Sequence, residues 1–316
     1  MEECRYMTRV LSYNILLGGT DRVNQLTKVI KSAQPDVVGL IEATNPRVIG
    51  ELAERLEMQF CLSGQAENET DWQVGVLSRL PIVQTQTHIH PGILPKQLLL
   101  EVCLAEPNGN QLTVFVVHLT ADFYKGLASN IIRRREVQEL IRIMSSKQRK
   151  PHLLMGDFNS IAPGEHLQGS RFLSYIIEQD PYDGQSFDKT AKYPDLNHVV
   201  PPPLRIFNRF LRIIPQSRLL SNLLDAVSFL YVPRASMGLL QKAGYVDCFR
   251  HVNPLLPGFT YPSSAPSGRI DFIFASTDLA QHLSACSVIE ADKAPQASIA
   301  SDHLPVIAEF CKTTER

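Results

Sequence analysis

Net charge is almost absent from this sequence. The 31 lysines and arginines and the 32 aspartates and glutamates leave a formal charge of −1 at pH 7 over 316 residues. Such a chain has no global positive field with which to hold a polyanion, although a local basic patch stays open. This weighs against a non-specific nuclease, because the affinity of such enzymes comes mostly from neutralising phosphates.

Cysteine pairs and long apolar runs are also missing. The six cysteines include no Cys-x-x-Cys pair, which argues against a zinc ribbon, and a core of this size needs no disulfides. The most apolar run, residues 223–232, is interrupted by Asp225 and is too short to cross a bilayer. Residues 1–5 lack the basic start and apolar core of a secretory signal, so we expect a cytoplasmic protein.

Short strand-like runs alternate with amphipathic helices along the chain, a pattern that is typical of an α/β fold. A helix is predicted over residues 46–56 and a strand over residues 245–249. Asn108-Gly109 between two strand-like runs predicts a hairpin. Hairpins among helix–strand units indicate mixed sheets rather than purely parallel ones.

A Pro-rich stretch at about 175–244 interrupts this alternation and is interpreted as a folded, partly helical insertion. Within it, arginines recur at helical spacing over residues 204–214, with apolar residues on the other side. Such a helix either packs its apolar face on the body of the protein or recruits a phosphate-rich substrate or lipid surface.

Polar residues gather where predicted strands end, which is where α/β proteins place ligand sites. Taken singly, each is more typical of a turn or a satisfied core partner. Their co-occurrence in a fixed order is the informative signal. The order is Asn14, Glu42, His118, Gly156-Asp157-Phe158-Asn159, Arg269-Ile270-Asp271 and Ser301-Asp302-His303.

This ordered set resembles the signature of the endonuclease/exonuclease/phosphatase superfamily, the deoxyribonuclease I-like fold. The resemblance implies a four-layer α/β sandwich, in which two packed mixed β-sheets are flanked by helices. It also implies one domain over residues 1–316 that carries the insertion, because Asn14 and His303 would have to meet in one site. Ile41 stands before Glu42 where many relatives have Gln, which argues against the apurinic-endonuclease branch. The inositol-phosphate 5-phosphatase branch is not indicated either, because the chain has Ser160-Ile161-Ala162-Pro163 and Gly268-Arg269-Ile270-Asp271 where that branch has other patterns.

The resemblance also assigns roles. The implied catalytic residues are Asp157, His303, Asp271, His118 and Asn159. The implied phosphate-binding residues are Asn14, Asn159, His118 and His303. The implied metal ligands are Glu42, Asp302 and Asp157, whose hard carboxylate oxygens suit Mg²⁺ or Mn²⁺ better than zinc. Whether Asp157 or His303 is the general base, and whether one or two ions bind, stay open.

The expected activity is divalent-metal-dependent hydrolysis of a phosphoester, with a phosphodiester favoured, by in-line attack of an activated water. A phospholipid or sugar-phosphate phosphatase is the alternative enzyme, and a non-catalytic membrane-binding or partner-binding protein is the alternative class. The substrate is expected to be a nucleic acid, a phospholipid or another phosphoester, since one fold serves many phosphates. We expect a monomer.

Three further features have a structural interpretation beside a functional one. His88 and His90 could bind metal from one strand face, but surface histidines are the simpler explanation. Arg133-Arg134-Arg135 could form a phosphate patch, although helical spacing spreads these residues around a helix. The single tryptophan, Trp72, suits either packing or substrate stacking.

Overall fold

The computed structural model describes residues 6–64, 73–90, 92–94, 99–121, 127–146, 150–179, 196–200, 202–231, 234–290, 294 and 296–312. In these residues the strands are β1 (Tyr6–Asn14), β2 (Val37–Ile41), β3 (Gln59–Leu62), β4 (Val74–Ser78), β5 (Ile82–Thr87), β6 (Leu99–Ala105), β7 (Gln111–His118), β8 (His152–Asp157), β9 (Val246–Asp247), β10 (Asp271–Ala275), β11 (Leu283–Val288) and β12 (Val306–Lys312).

The α-helices of the same residues are α1 (Val23–Ala33), α2 (Pro46–Leu56), α3 (Leu127–Ser145), α4 (Gly169–Gln179), α5 (Leu196–Val199), α6 (Asn208–Leu211), α7 (Arg218–Tyr231), α8 (Ala235–Lys242), α9 (Cys248–Val252), α10 (Thr277–Ala280) and α11 (Ala297–Ala300). Short 3-10 helices lie at Leu17–Gly19, Pro202–Phe207 and Ile214–Gln216.

The strands form two six-stranded sheets. Their orders are β11-β12-β1-β2-β4-β3 and β5-β6-β7-β8-β10-β9. In each sheet one central pair is parallel, β1 with β2 and β7 with β8, and the other pairs are antiparallel. The helices α1 and α3 provide the two crossovers that the parallel pairs require. The prediction of mixed sheets is therefore confirmed.

The alternation along β7 shows how the layers stack. Leu112, Val114 and Val116 belong to the core between the sheets. Phe115 and Val117 point to the opposite face and pack in a second core with residues of α3 and α8. The other sheet is covered on its outer side by α1 and α2, whose buried apolar residues are continuous with the first core through that sheet. The molecule is thus the predicted α/β sandwich of two mixed sheets flanked by helices.

Local signals account for α2, whose predicted bounds are confirmed. The side chain of Asn45 accepts hydrogen bonds from the backbone N–H groups of Arg47 and Val48, and Pro46 occupies the first turn. The predicted hairpin is also present between β6 and β7, with Gly109 at a φ of 85° in its turn.

Two predicted elements are wrong. At residues 245–249 the strand β9 is only two residues long, because the Asp247 side chain caps α9 by accepting from the backbone N–H of Arg250. Residues 204–214 do not form one helix but a 3-10 helix, the short α6 and part of another 3-10 turn. Asn208 is the buried residue of α6, while Phe207 and Phe210 are exposed, so the predicted apolar face does not pack inward as a whole.

The Pro-rich stretch contains helices that share a small core of their own. Its buried members are Leu173, Tyr175, Ile176, Leu196 and Ile214. Several of its residues, among them 180–195, lie outside the described part of the chain, and the division into one domain with an insertion stays a prediction.

The described residues include both free and disulfide-bonded cysteine. Cys61, Cys103, Cys248 and Cys286 are free, whereas Cys311 in β12 is disulfide-bonded. No sequence pattern predicts that bond, and the cytoplasmic location stays a prediction. No helix in the described ranges is both long and apolar enough to cross a membrane.

Candidate active site

Strand register aligns three of the predicted site residues. His118 ends β7 and is the register partner of Asp157, which ends the parallel neighbour β8. Asp157 is also the partner of Asp271, the first residue of the antiparallel strand β10. The three side chains therefore start from adjacent positions on adjacent strands.

The residue before Asp157 has to be glycine. Gly156 has a φ of 152°, and a Cβ atom placed on it would lie 1.9 Å from the carbonyl oxygen of Val117. No L side chain fits this approach between β7 and β8. The Gly156-Asp157 pair of the sequence motif thus couples strand packing to the position of the carboxylate.

The facing sheet contributes Asn14, the last residue of β1, and Glu42, the residue after β2. The Asn14 side-chain amide donates to Glu42 Oε1 at 3.1 Å and to Asp157 Oδ2 at 3.2 Å. One buried amide therefore joins the two sheets at the site.

Backbone N–H groups fix these two side chains in turn. Leu16 N donates to Asn14 Oδ1 at 3.0 Å, and Leu17 N donates to Glu42 Oε2 at 2.7 Å. Four non-glycine residues at the site have left-handed backbone: Leu16, Leu17, Glu42 and Asn159, with φ of 52°, 47°, 60° and 46°. Each costs on the order of 1 kcal/mol, and such strain gathers where function holds it.

His303 is oriented by a carboxylate. Its Nδ1 lies 2.9 Å from Asp271 Oδ2, and its Nε2 lies 3.7 Å from Asp157 Oδ2. The Tyr261 ring covers the imidazole with a centroid separation of 4.7 Å. Ser301 joins this loop to β1, because its hydroxyl donates to the carbonyl of Asn14 at 2.6 Å and accepts from the backbone N–H of His303 at 3.2 Å.

Burial and neighbouring charges separate the protonation states of these groups. Burial raises the pKa of Asp157 to about 8, with Asp271 and Glu42 adding to the rise and His303 opposing it. Burial disfavours the imidazolium of His303, but Asp271 and Asp157 outweigh that effect and raise its pKa well above the usual value. Burial, helped by the charge of His303, lowers the pKa of His118 to about 3. His303 is therefore cationic and His118 neutral near pH 7.

Side chains of α3 form hydrogen bonds to the backbone of the segment that follows β7. The side-chain amide of Asn159 donates to the carbonyl of Leu119 at 2.9 Å. The next residue, Thr120, donates its backbone N–H to Glu136 at 3.2 Å and accepts from Arg133 at its carbonyl oxygen at 3.0 Å. Arg133 is thus buried and structural, unlike the exposed Arg134 and Arg135 that follow it in the predicted patch.

Arg269 of the Arg-Ile-Asp motif is a buried anchor rather than a substrate group. It is 1% exposed and pairs with Asp247 at 2.5 Å and with Glu165 at 2.6 Å. Its guanidinium also lies 4.3 Å from the centroid of the Phe272 ring. Arg269 thereby fixes the start of β10, from which Asp271 reaches His303.

The donor set of this site fits a hard divalent cation. Ligand atoms of Asp157, Asp271 and His303 lie within 4.8 Å of one another. Asp271 Oδ1 is buried and has no hydrogen-bond partner among the described residues. Buried carboxylate oxygens of this kind suit Mg²⁺ or Mn²⁺. Glu42 and Asp302 lie outside this trio, so the predicted ligand set of Glu42, Asp302 and Asp157 stays a prediction.

The structure brings most of the predicted residues into contact. Hydrogen bonds or distances below 4 Å connect Asn14, Glu42, His118, Asp157, Asn159, Asp271 and His303. Asp302 is half-buried and instead lines an adjoining cleft with Arg22 and Tyr175. Burial raises the pKa of Asp302 to about 6, with His303 opposing and Glu42 adding to the rise.

Sequence reasoning missed Tyr261 and the backbone donors at Leu16 and Leu17. Nothing in the pattern around Tyr261 marks it, whereas Ser301 stood in the recognised motif without a role. Of the other candidates, His88 pairs with Glu101 at 2.9 Å, and the one group with metal-ligand spacing in the described residues does not include it. Trp72 lies outside the described residues.

A model of the Endonuclease/Exonuclease/phosphatase family matches residues 11–303, nearly the whole chain. The chain belongs to this family. The match spans all the site residues described above, from Asn14 to His303, so the recognised motifs and the family boundaries agree. A comparison with curated protein sequences found no match.

Solved structures share the fold at low sequence identity. An AP endonuclease from Archaeoglobus fulgidus is 16% identical, with a TM-score of 0.61 over 96% of this chain and 99% of the other. A 3′ phosphatase from Neisseria, bound to a product DNA hairpin, is 16% identical with a TM-score of 0.58 and the same coverage. An endonuclease/exonuclease/phosphatase from Beutenbergia cavernae is 19% identical, with a TM-score of 0.60 over 97% of this chain and 72% of the other.

Proposed function

We propose that this protein hydrolyses a phosphoester, with a phosphodiester favoured, and that it depends on a divalent cation. One observation carries the proposal. The buried Asp157 carboxylate lies 3.7 Å from two imidazoles, His118 and His303, and the second of these is oriented by Asp271. A buried acid beside one neutral and one cationic imidazole suits attack of water on an anionic phosphorus centre.

The phosphoryl group carries negative charge that repels an oxygen nucleophile, so hydrolysis needs donors and cations on its oxygens. His303 supplies a fixed positive charge, because Asp271 holds its Nδ1 and leaves Nε2 directed at the site. His118 is neutral and donates a hydrogen bond without adding charge. The side-chain amides of Asn14 and Asn159 complete the proposed phosphate shell.

Asp157 is the favoured general base. In the metal-free protein its raised pKa keeps it protonated up to about pH 8, and once ionised it is a stronger base than an ordinary aspartate. Its Oδ1 is held by the backbone N–H of Asn159 at 2.8 Å. His303 holds its proton near neutral pH and is better suited to stabilising the developing charge. It remains the alternative base, and a pH–rate profile with each variant distinguishes the two assignments.

Mg²⁺ or Mn²⁺ is the proposed cofactor, with Glu42, Asp157 and Asp302 as ligands. The alternative set is the compact trio that replaces Glu42 and Asp302 by Asp271 and His303. When bound, the ion neutralises phosphoryl oxygens and lowers the pKa of water.

Nucleic acid and phospholipid are the two leading substrate classes. DNA is included because the fold is shared with an AP endonuclease and with a phosphatase bound to product DNA. The net charge of −1 weighs against non-specific binding of a polyanion. A phospholipid or sugar-phosphate phosphatase is the second enzymatic candidate, and a non-catalytic member of the family is the competing class.

The first test is hydrolysis of bis-p-nitrophenyl phosphate, a small soluble phosphodiester, with Mg²⁺ or Mn²⁺. Turnover that is abolished by a chelator and by Asp157→Asn supports the proposal. A folded protein that is inactive with either ion on diester, DNA, RNA and phospholipid alike would contradict it and favour a binding protein. Among active outcomes, the panel of DNA, RNA and phospholipid ranks the substrates.

A further inference from the structure

Two groups of exposed apolar side chains lie close together along the Pro-rich stretch. The first comprises Leu204, Ile206, Phe207, Phe210 and Ile213, which are all at least 50% exposed. The second comprises Leu219, Leu223 and Val227, which recur at four-residue spacing on one face of α7. Together they form what we call the 204–227 surface. Soluble monomers rarely expose so many large apolar side chains in one short segment.

These side chains are outward-facing parts of a folded unit. Their neighbours Leu211, Ile214, Leu220 and Leu224 pack inward in the small core of this stretch. The segment therefore has an interior, and the exposed residues are a second, outer apolar face.

The charged residues near this apolar face are mostly arginines. Between Pro202 and Leu224 the sequence has four arginines, Arg205, Arg209, Arg212 and Arg218, and no aspartate, glutamate or lysine. Arg209 and Arg218 are exposed. With Asp225 included, residues 204–227 have a net charge of +3, whereas the whole chain has a net charge of −1.

The 204–227 surface is fixed to the helix that borders the active site. Asp225 of α7 accepts from the backbone N–H and the hydroxyl of Ser170 in α4, at 2.7 and 2.9 Å. Further along α4, Tyr175 lines the cleft that also contains Asp302. Its ring lies 6.4 Å from that of Tyr261, which covers His303.

We propose that the 204–227 surface docks on an anionic lipid bilayer, with its apolar side chains in the interface and the exposed Arg209 and Arg218 on the headgroup phosphates. Exposed aliphatic residues interleaved with cations match such an interface. A nucleic acid would use the arginines but would leave the leucine and isoleucine side chains in water. A second copy of the chain in a two-fold contact would bring two sets of four arginines together.

The test measures binding alone, so its result is independent of the proposed hydrolysis. The protein is sedimented with vesicles of phosphatidylcholine and with vesicles that also contain phosphatidylserine. We expect binding to the anionic vesicles only, with the bound fraction falling as salt rises. Phe207→Ser with Phe210→Ser, and separately Arg209→Glu with Arg218→Glu, should each weaken it by roughly tenfold or more.

Matched controls come from exposed residues elsewhere. Leu255 is 94% exposed, so Leu255→Ser removes an apolar side chain outside the surface. Arg134→Glu with Arg135→Glu reverses two exposed charges on α3. Both controls should bind as the wild type does, and all variants should keep the wild-type melting temperature because the changed side chains are exposed.

Three results overturn the proposal. The wild type fails to bind anionic vesicles, or the control variants lose binding as much as the surface variants, or binding is insensitive to both surface variants. Concentration-dependent self-association that Phe207→Ser with Phe210→Ser abolishes, in a protein that ignores vesicles, would instead assign the surface to a second copy of the chain.

Discussion

Asp157 ends β8 and His303 lies in the loop before β12, but the two side chains are 3.7 Å apart and face the same reacting group under the proposed mechanism. We expect Asp157→Ala and His303→Ala each to reduce turnover by roughly a hundred- to ten-thousand-fold. Since both act on one transition state, the double variant should lose far less than the product of the single losses.

Steady-state kinetics of the two single variants and the double variant tests this expectation, with melting curves to verify the fold. His88→Ala is the matched control, because His88 pairs with Glu101 outside the site. Losses that multiply would show that the two residues serve separate steps.

The same carboxylate should also control how the metal-free protein responds to pH. In the unfolded chain Asp157 loses its proton near pH 4, whereas in the folded protein it keeps that proton up to about pH 8. The folded state therefore binds more protons between these values, and its stability falls as pH rises through this window. Asp157→Asn removes this effect.

With chelator present, we expect Asp157→Asn to melt at a higher temperature than the wild type at pH 8, with a smaller difference at pH 5. Thermal melting at several pH values measures it. Asp278→Asn changes an exposed aspartate and should follow the wild type throughout. An equal difference at both pH values would show that Asp157 does not stay protonated in the fold.

At this scale, residue type and order predicted acids and imidazoles that the structure brings together, and their roles stay predictions. Each of the three residues His118, Asp157 and Asp271 lies at the end or the start of a strand, so they come together at one end of the sheet. Tyr261 could not be predicted, because its contact with His303 depends on the path of a loop that has no periodic pattern. The left-handed backbone at Leu16 was equally hidden, because leucine has no preference for it.

For the strands, the contact between β7 and β8 depends on Gly156. Gly156→Ala should destabilise the protein by about 3 kcal/mol. The added Cβ would collide with the Val117 carbonyl oxygen, and alanine would also have to adopt an unfavourable φ. Gly109→Ala is the matched control. Gly109 also has a positive φ of 85°, but a Cβ there meets nothing within 4 Å, so the cost should be about 1 kcal/mol.

Urea unfolding of the two variants makes the comparison. Equal losses would mean that backbone conformation alone, and not the close approach of the strands, requires glycine at position 156.

Elements with strong local signals were predicted well, and those decided by tertiary contacts were not. The Asn45-Pro46 pair specifies the start of α2 by itself. At residues 245–249 the apolar pattern suits a strand, but a single cap at Asp247 converts its second half into a helix. Over residues 204–214 the arginines do recur at helical spacing. In that pattern Asn208 belongs to the same face as the arginines, but in the structure it is buried.

For the molecule as a whole, the proposed cation should act as a stabiliser of the assembled sandwich. Its candidate ligands come from both sheets, so the unfolded chain has no such site, and binding raises stability by about 2.7 kcal/mol at a hundredfold excess over Kd. We expect Mg²⁺ or Mn²⁺ to raise the melting temperature, and Glu42→Gln to require more metal for both this rise and turnover.

Melting curves and initial rates across a metal titration test the expectation. Glu106→Gln changes another buried glutamate, which accepts a hydrogen bond from Thr8 away from the site, and should leave the metal dependence unchanged. If Glu42→Gln titrates as the wild type does, Glu42 is not a ligand.

The pairing of β1 with β12 has a consequence for synthesis of the chain. Arg9 and Glu309, 300 residues apart, bond across these two strands, and β12 separates β1 from β11 in the sheet. As the chain leaves the ribosome, β1 stays unpaired on that side until β12 has been synthesised, about 300 residues later. His303 is synthesised just before β12, so the candidate active site is completed as this side of the sheet becomes paired.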